Sequence, residues 1–325
     1  MGCASPAAFI ARVQGTFGDR FTVTACETLL AALENEQSGG RSDDALRAAD
    51  IEVALSDDEV KAIVAIRGGA WFTRILPRIN FNVLDHRHNP VMVIGFSELT
   101  TLVNIVASRT QGRGILDMGP AFLTYGLKRY AEIMLGLNPG PSSEAWMRNE
   151  LLLRFDEYFA DVLSMIEGRG TVRKLVCQSA AMKRNGFGRL PDEFTATFVG
   201  GNLCVLSTML GSPYREAVDP SGRWIVIEDL NEKPERIDRF LAHLTLAGFW
   251  ERCEGILIGD FHRKEQVLTP AVVTLLAYHL PRCRKIPVLT TNAVGHIWPM
   301  APLRLNEPSI VKRTSENVYE VTWSA

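Results

Sequence analysis

The stretch Val91-Met92-Val93-Ile94-Gly95-Phe96-Ser97-Glu98-Leu99-Thr100 decides how this chain reads. Its first four residues form a short apolar, mostly β-branched run, which predicts a buried strand. A helical run from Leu99 to Ala107 follows at once. Ser97 therefore stands on a sharp turn between a strand and a helix. Such a corner exposes the hydroxyl, and the backbone N–H groups behind it open a helix and can receive an oxyanion. Ser97 is a candidate nucleophile on this reading. The competing reading is a plain helix N-cap.

The same grammar extends outward. Val60 to Ile66 predicts a strand ending at Arg67-Gly68-Gly69, and Ile75-Leu76-Pro77 closes a short helix. Asn138-Pro139-Gly140-Pro141-Ser142-Ser143 is a break, and a helix is predicted from about Glu144 to Ile166. In the second half, Trp224-Ile225-Val226-Ile227 is a strand ending at Glu228-Asp229. Ile237, Phe240, Leu241 and Leu244 have the spacing of an amphipathic helix. Gly255 to Gly259 is another strand, Pro270 to His279 a helix, and Ile286 to Leu289 a last strand leading to Gly295-His296. The Arg-, Lys- and Gly-rich segment from Gly168 to Asp192 reads as a crossing between two lobes. Alternating strands and helices predict an α/β protein.

The bulk composition is that of a globular protein. The chain has 325 residues, 46% hydrophobic and 22% charged, with a net charge of −2, so no electrostatic footprint points to nucleic acid or an anionic membrane. No apolar run approaches the roughly 20 residues that span a bilayer. No secretory leader is read, and Met1-Gly2-Cys3-Ala4-Ser5-Pro6 has proline where a myristoylation pattern wants Ser or Thr. The six cysteines are scattered, as expected of reduced, mostly buried thiols in a cytoplasmic protein. No zinc spacing, Walker loop or Gly-x-Gly-x-x-Gly is present, so no metal or cofactor is expected.

In open α/β sheets, sites form beyond the carboxyl ends of the strands. Four distinctive groups stand at such ends: Arg67-Gly68-Gly69, Ser97, Glu228-Asp229 and, after a short loop, His296. A serine hydroxyl needs a base, and a carboxylate can orient the imidazole that serves. Ser97, His296 and Glu228 supply those parts, while Gly68 and Gly69 let a backbone N–H approach an oxyanion. Bland readings stand beside these. The glycines could be a simple turn, Glu228-Asp229 a cap for the helix containing Ile237, and His296 a core histidine. Among the other histidines, His86-Arg87-His88 is a weak metal candidate and His243 a surface residue. His262 and His279 are expected to lack a suitable partner.

Taken in order, several short motifs resemble the serine peptidase family of LD-carboxypeptidases, which includes the microcin C immunity hydrolases. Arg67-Gly68-Gly69 with Leu76-Pro77 resembles its Arg-Gly-Gly…Leu-Leu-Pro segment. Gly95-Phe96-Ser97-Glu98-Leu99-Thr100 resembles its nucleophile turn, and Gly119-Pro120 the Gly-Pro that follows. Gly200-Gly201-Asn202-Leu203 with Gly211-Ser212-Pro213-Tyr214 resembles Gly-Gly-Asn-Leu…Gly-Thr-Pro-Tyr. Glu228-Asp229…Glu232 with Arg236-Ile237-Asp238-Arg239, and then Gly295-His296, resemble the segments bearing the triad glutamate and histidine. The resemblance spans roughly residues 45 to 300. It implies an N-terminal, mostly parallel-sheet α/β lobe (1–165) carrying the nucleophile, and a C-terminal mixed α/β lobe (166–325) carrying Glu228 and His296. The active site would lie in the cleft between them. By the same resemblance the N–H of Glu98 and one from the Gly68-Gly69 turn would form the oxyanion hole, Asn202 and Glu232 would bind substrate, and the protein would be a homodimer.

Three features depart from the family pattern. Glu98 stands where Asp is usual, Ala70-Trp71 stands where Tyr-Gly is usual, and the family's first strand is nearly absent before Ala4-Ser5-Pro6. One branch of the family cleaves the bond to a C-terminal D-amino acid in peptidoglycan-derived peptides; the other cleaves aminoacyl-nucleotides and holds the base with aromatic side chains. Gly168 to Gly186 contains no aromatic residue, with Phe187 the nearest, and an acidic Glu232 suits an amine better than a phosphate-like group. Both features favour a small peptide or amino-acid-derived substrate. A specialised amidase, esterase or acyltransferase, an aminoacyl-nucleotide hydrolase, and a non-catalytic binding homologue are the alternatives.

Overall fold

A computed structural model of the chain describes residues 6–25, 43–66, 68–120, 141–169, 173–180, 187–297 and 300–323. Arg67, Cys3 and Cys26 lie outside them, as do parts of the stretch from Gly168 to Asp192.

Two sheets organise the molecule. The smaller contains β1 (Ala62–Val64), β2 (Val91–Gly95) and β3 (Gly112–Leu116). These are parallel and run in the order β1-β2-β3. Every residue of β2 is buried, as its apolar run predicts. Its side chains alternate: Met92 and Ile94 pack with Phe9, Val13, Phe155 and Phe159 of two flanking helices, α1 (Pro6–Phe17) and α4 (Pro141–Ile166). Val91 and Val93 face the main core, together with Leu102 and Val103. The helix α2 (Asp44–Ser56) precedes β1, and α3 (Thr100–Ala107) joins β2 to β3 with every residue buried.

The larger sheet has eight strands. In chain order they are β4 (Arg173–Ser179), β5 (Glu193–Asn202), β6 (Trp224–Leu230), β7 (Gly255–Arg263), β8 (Gln266–Val267), β9 (Val288–Thr290), β11 (Pro308–Ser315) and β12 (Val318–Trp323). Parallel pairs β5–β6, β6–β7 and β7–β9 sit beside antiparallel β5–β11, β11–β12, β12–β4 and β4–β9. Because β6 pairs with β7 as well as β5, the sheet closes on itself and only β8 stands outside the ring. Closure leaves few open edges. The helices α5 (Leu203–Met209), α6 (Pro234–Leu246), α7 (Phe249–Arg252) and α8 (Thr269–His279) accompany it.

Several expectations are corrected here. The chain does not end its strands at Leu289: β10 (Leu303–Leu305) crosses back to pair antiparallel with β3, and the β11–β12 hairpin follows. Its sequence alternates buried with exposed residues, a pattern weaker than a continuous apolar run. The segment after Gly168 is not merely a crossing, since β4 lies in it and pairs with β12. The short helix ending at Pro77 is a 3-10 helix, Thr73–Arg78, and it carries Pro77 inside it.

Candidate active site

The nucleophile turn comes first. Phe96 is extended (φ −149°, ψ 167°) and its side chain is buried. Ser97 then turns to φ 59°, the left-handed region that L side chains rarely adopt. Such a conformation costs about 1–3 kcal/mol and persists only where its surroundings enforce it. A 3-10 turn, Ser97–Leu99, leads into α3. The chain after β1 closes over this corner. A Cβ on Gly68 would come within 2.6 Å of Ser97 Cβ and 3.2 Å of Ser97 Oγ. A side chain at residue 68 would therefore occupy the space in front of the hydroxyl. Gly119, of the Gly119-Pro120 pair, backs the same strand end, within 2.4 Å of the Ala65 carbonyl oxygen by the same measure.

The extra length of Glu98 has a use. Its Oε1 accepts the Thr73 N–H at 3.0 Å and the Thr73 hydroxyl at 2.8 Å. The nucleophile turn is thereby tied to the start of the 3-10 helix that follows the glycine pair. Trp71 holds φ 70°, with its ring under the Arg74 guanidinium at 5.6 Å. Arg74 in turn pairs with Asp44 of α2 at 2.8 Å.

The candidate acid–base pair comes from β6 of the larger sheet and from the loop after β9. Glu228, on β6, is completely buried, and its Oε2 lies 2.8 Å from His296 Nδ1. His296 is itself buried, with its ring 4.7 Å from that of Phe96, edge to face. The imidazole thus sits against the residue that precedes Ser97. Burial alone would lower its pKa, but the Glu228 carboxylate more than offsets this and holds it above the ordinary imidazole value. The floor beneath the pair is tight: a Cβ on Gly259 would lie 2.4 Å from the Val294 carbonyl oxygen and 3.0 Å from Glu228 Cβ.

The two sheets meet through polar contacts that the sequence did not single out. Asn104, in α3, accepts the Gly200 N–H at 2.9 Å and donates to the Gly200 carbonyl at 2.9 Å. Thr100 Oγ1 accepts the Asn202 N–H at 3.1 Å. Gly201, at φ 143°, could carry no side chain, because a Cβ would lie 2.8 Å from Thr100 Oγ1. These contacts set the nucleophile helix against β5, next to β6 and its Glu228. One signal was available: Asn104 is a lone amide in the apolar run Leu99 to Ala107.

Asn202 is occupied within the fold. Its Oδ1 accepts the Val205 N–H at 3.1 Å as the cap of α5, and its Nδ2 donates to Asp229 at 3.1 Å. Asp229 also accepts the Cys204 N–H at 2.9 Å, so it caps α5 rather than the helix containing Ile237. Burial first, then the neighbouring Glu228, pushes the Asp229 carboxyl up to about 7. Glu232 pairs with Arg236 at 3.0 Å. Tyr214, of the Gly211-Ser212-Pro213-Tyr214 segment, donates its hydroxyl to the Leu76 carbonyl at 3.1 Å.

The remaining histidines divide. His243 is exposed, as expected. His262 and His279 do have acidic partners: Nδ1 of His262 bonds Asp260 inside the protein, and Nε2 of His279 lies 2.9 Å from Asp238. Asp260 stands two residues before His262 on β7, and Asp238 comes from α6, a pairing that spacing alone does not reveal. Among the described residues no group of three or more His, Cys, Asp or Glu could hold a metal, and no helix is long and apolar enough to cross a membrane. Cys177 and Cys253 are buried, Cys204 is half-buried and Cys283 is exposed.

Comparison with known proteins follows the same two-part pattern. Residues 8–116 match the LD-carboxypeptidase N-terminal domain and residues 195–310 the LD-carboxypeptidase C-terminal domain. A Bacillus subtilis (strain 168) protein named "probable murein peptide carboxypeptidase" is 28% identical over 274 residues, covering 82% of this chain and 74% of that protein. The fold is similar to that of a muramoyltetrapeptide carboxypeptidase from Oxalobacter formigenes, with a TM-score of 0.65 at 20% identity, covering 100% of this chain and 96% of that one. It is also similar to an MccF-like protein from Bacillus anthracis, with a TM-score of 0.59 at 17% identity, covering 86% and 81% of the respective chains. With both domain matches in chain order, and the strained serine corner and the buried Glu228–His296 pair falling one in each, the chain belongs to the LD-carboxypeptidase family of serine peptidases.

Proposed function

We propose that the protein is a serine hydrolase of the LD-carboxypeptidase type, which releases a C-terminal D-amino acid from a peptidoglycan-derived peptide through an acyl-enzyme. The observation that carries this reading is the contact of the His296 ring, itself bonded to Glu228 at 2.8 Å, with Phe96, the residue before the left-handed Ser97 corner. Ser97 Oγ attacks the scissile carbonyl carbon while His296 takes the hydroxyl proton. Glu228 orients the imidazole and stabilises the imidazolium that forms. The N–H of Glu98 and one from the Gly68-Gly69 turn receive the oxyanion. Collapse of the tetrahedral intermediate breaks the C–N bond, and His296 returns its proton to the leaving amine. Water then attacks the ester by the same route and restores Ser97. Loss of a single oxyanion donor typically costs about a hundred- to a thousand-fold in rate.

The cleft between an N-terminal lobe (1–165) and a C-terminal lobe (166–325) belongs to this reading, with β10 reaching back to the smaller sheet. Family resemblance supports a homodimer, and the scattered cysteines support a cytoplasmic protein. Asn202 acts in this scheme by fixing the start of α5 beside Glu228.

The test is turnover of a muropeptide ending in a D-amino acid. Ser97→Ala should abolish release of that residue and leave the melting temperature near that of the parent protein. Full activity in Ser97→Ala would overturn the mechanism. Cleavage of simple esters alone, with muropeptides untouched, would overturn the substrate.

A further inference from the structure

We propose that Asp260 and His262 form a second carboxylate–imidazole pair, which supports the Glu228–His296 pair from β7. In it Asp260 is a positioning residue for His296, and His262 holds the Asp260 carboxylate in place. This rests on the reading above, in which His296 is the base.

The sheet brings the two pairs together. Leu230 of β6 lies opposite His262 of β7. Stepping back two residues on each strand puts Glu228 and Asp260 on the same face. The register slips there: Ile227 pairs with Ile258 and Asp229 with Phe261, so Gly259 and Asp260 together oppose Glu228. Such bulges re-aim side chains beside active sites. The loop that carries His296 lies on this bulge. The Asp260 N–H donates to the Val294 carbonyl at 2.7 Å. A Cβ on Gly295, the residue before His296, would come within 2.7 Å of Asp260 Cβ. Asp260 therefore packs directly against the loop.

Both members of the second pair are buried, Asp260 at 8% exposure and His262 at 3%. Nδ1 of His262 bonds the Asp260 carboxylate. Its Nε2 is enclosed and has no partner among the described residues. An imidazole that only filled space there would be better replaced by an apolar side chain, because burying an unpaired nitrogen costs free energy. The bond to Asp260 is what this position gains from a histidine. Burial lowers the His296 pKa, Glu228 raises it most, and Asp229 and then Asp260 add to that rise. On the Ser97 corner, which meets the ring through Phe96, the acidic group is Glu98, and its carboxylate is on Thr73.

The test follows the His296 imidazole directly, by NMR titration of protein labelled in its histidines. The signal is assigned by its loss in His296→Asn. Asp260→Asn removes the charge at nearly constant shape. The His296 midpoint should then fall to lower pH, a loss of about three- to tenfold in proton affinity. His262→Ala leaves a buried carboxylate without its donor and should lower the midpoint in the same way. His262→Asn, whose amide can donate from the place of Nδ1, should bring the midpoint back towards the parent value. Asp229 is present throughout, so each effect is read as a difference between proteins. The inflection of kcat/KM for a muropeptide should move in the same order. An unmoved midpoint in Asp260→Asn overturns the second pair and leaves the hydrolase reading intact, and so does an equal shift in His262→Asn and His262→Ala. If His262→Ala does not fold, Asp260→Asn decides by itself. Midpoints that move as expected in a protein that cleaves no muropeptide overturn the hydrolase reading and leave the pair standing.

Discussion

The Ser97 corner and the Glu228–His296 pair are built in opposite ways. Ser97 is positioned by its neighbours in sequence: a buried strand before it, a helix after it, and a backbone forced to φ 59° between them. Glu228 and His296 lie 68 residues apart and meet only because the larger sheet brings the end of β6 beside the loop after β9. The corner stores local backbone strain. The pair instead depends on burial and charge, with Glu228 wholly enclosed and His296 nearly so. A serine held by strain tolerates no side chain in front of it, whereas a histidine held by charge responds to pH.

The sharpest way to break the pair is Glu228→Gln. Its expected effect is a fall in kcat of about 10³- to 10⁴-fold, since the imidazole loses its orienting carboxylate. The pH profile should move with it. A general base works only unprotonated, so wild-type kcat/KM should rise with pH through a value above the ordinary imidazole pKa, where Glu228 holds it. Without that charge, burial dominates and the inflection should shift to lower pH. The pair also contributes to stability. Because the folded pKa is raised, that contribution is complete below the unfolded imidazole pKa and is lost as pH rises through the folded value. An unmoved inflection in the variant would separate Glu228 from His296 in function.

The corner is broken next by Gly68→Ala. The added Cβ meets Ser97 at 2.6 Å, so kcat/KM should drop by about a hundredfold through misplacement of the hydroxyl and of the nearby N–H donor. Circular dichroism should show an unchanged fold. The seam between the two regions is probed by Asn104→Ala. This strips partners from the buried N–H and carbonyl of Gly200, and urea denaturation should show a loss of about 1–3 kcal/mol. Activity should fall with that stability, because the seam joins the helix after Ser97 to β5, the neighbour of β6. The smallest effect belongs to Glu98. Glu98→Gln keeps an acceptor for Thr73 and should cost no more than about threefold, while Glu98→Ala loses both bonds and should cost roughly tenfold. Equal losses in the two would show that the charge of Glu98, rather than its reach to Thr73, matters.

Much of this was legible in the chain because its signals are local. The strand at Val91–Gly95, the buried helix after Ser97, the strand ending near Glu228 and the amphipathic helix bearing Ile237, Leu241 and Leu244 all follow from runs and periodicity. The β11–β12 hairpin escaped because its faces are mixed, and β4 because its surroundings are rich in Arg, Lys and Gly. The partners of His262 and His279, and the engagement of Glu232 by Arg236, escaped for another reason. Which side chains meet depends on where β7, α6 and α8 are placed, or on which rotamer a surface pair adopts.

Taken by itself, the sequence determined the α/β character, the strand–turn–helix corner at Ser97 and the three residue types a hydrolase needs, because each is written within a few consecutive positions. Only the tertiary structure decided that the larger sheet closes through β6 and β7, that Asn104 and the glycines at 200 and 201 join the two sheets, and that His296 rests between Phe96 and Glu228. Those are contacts between distant segments. They are set by close packing and by satisfying buried polar groups across the whole fold, and no local pattern encodes them.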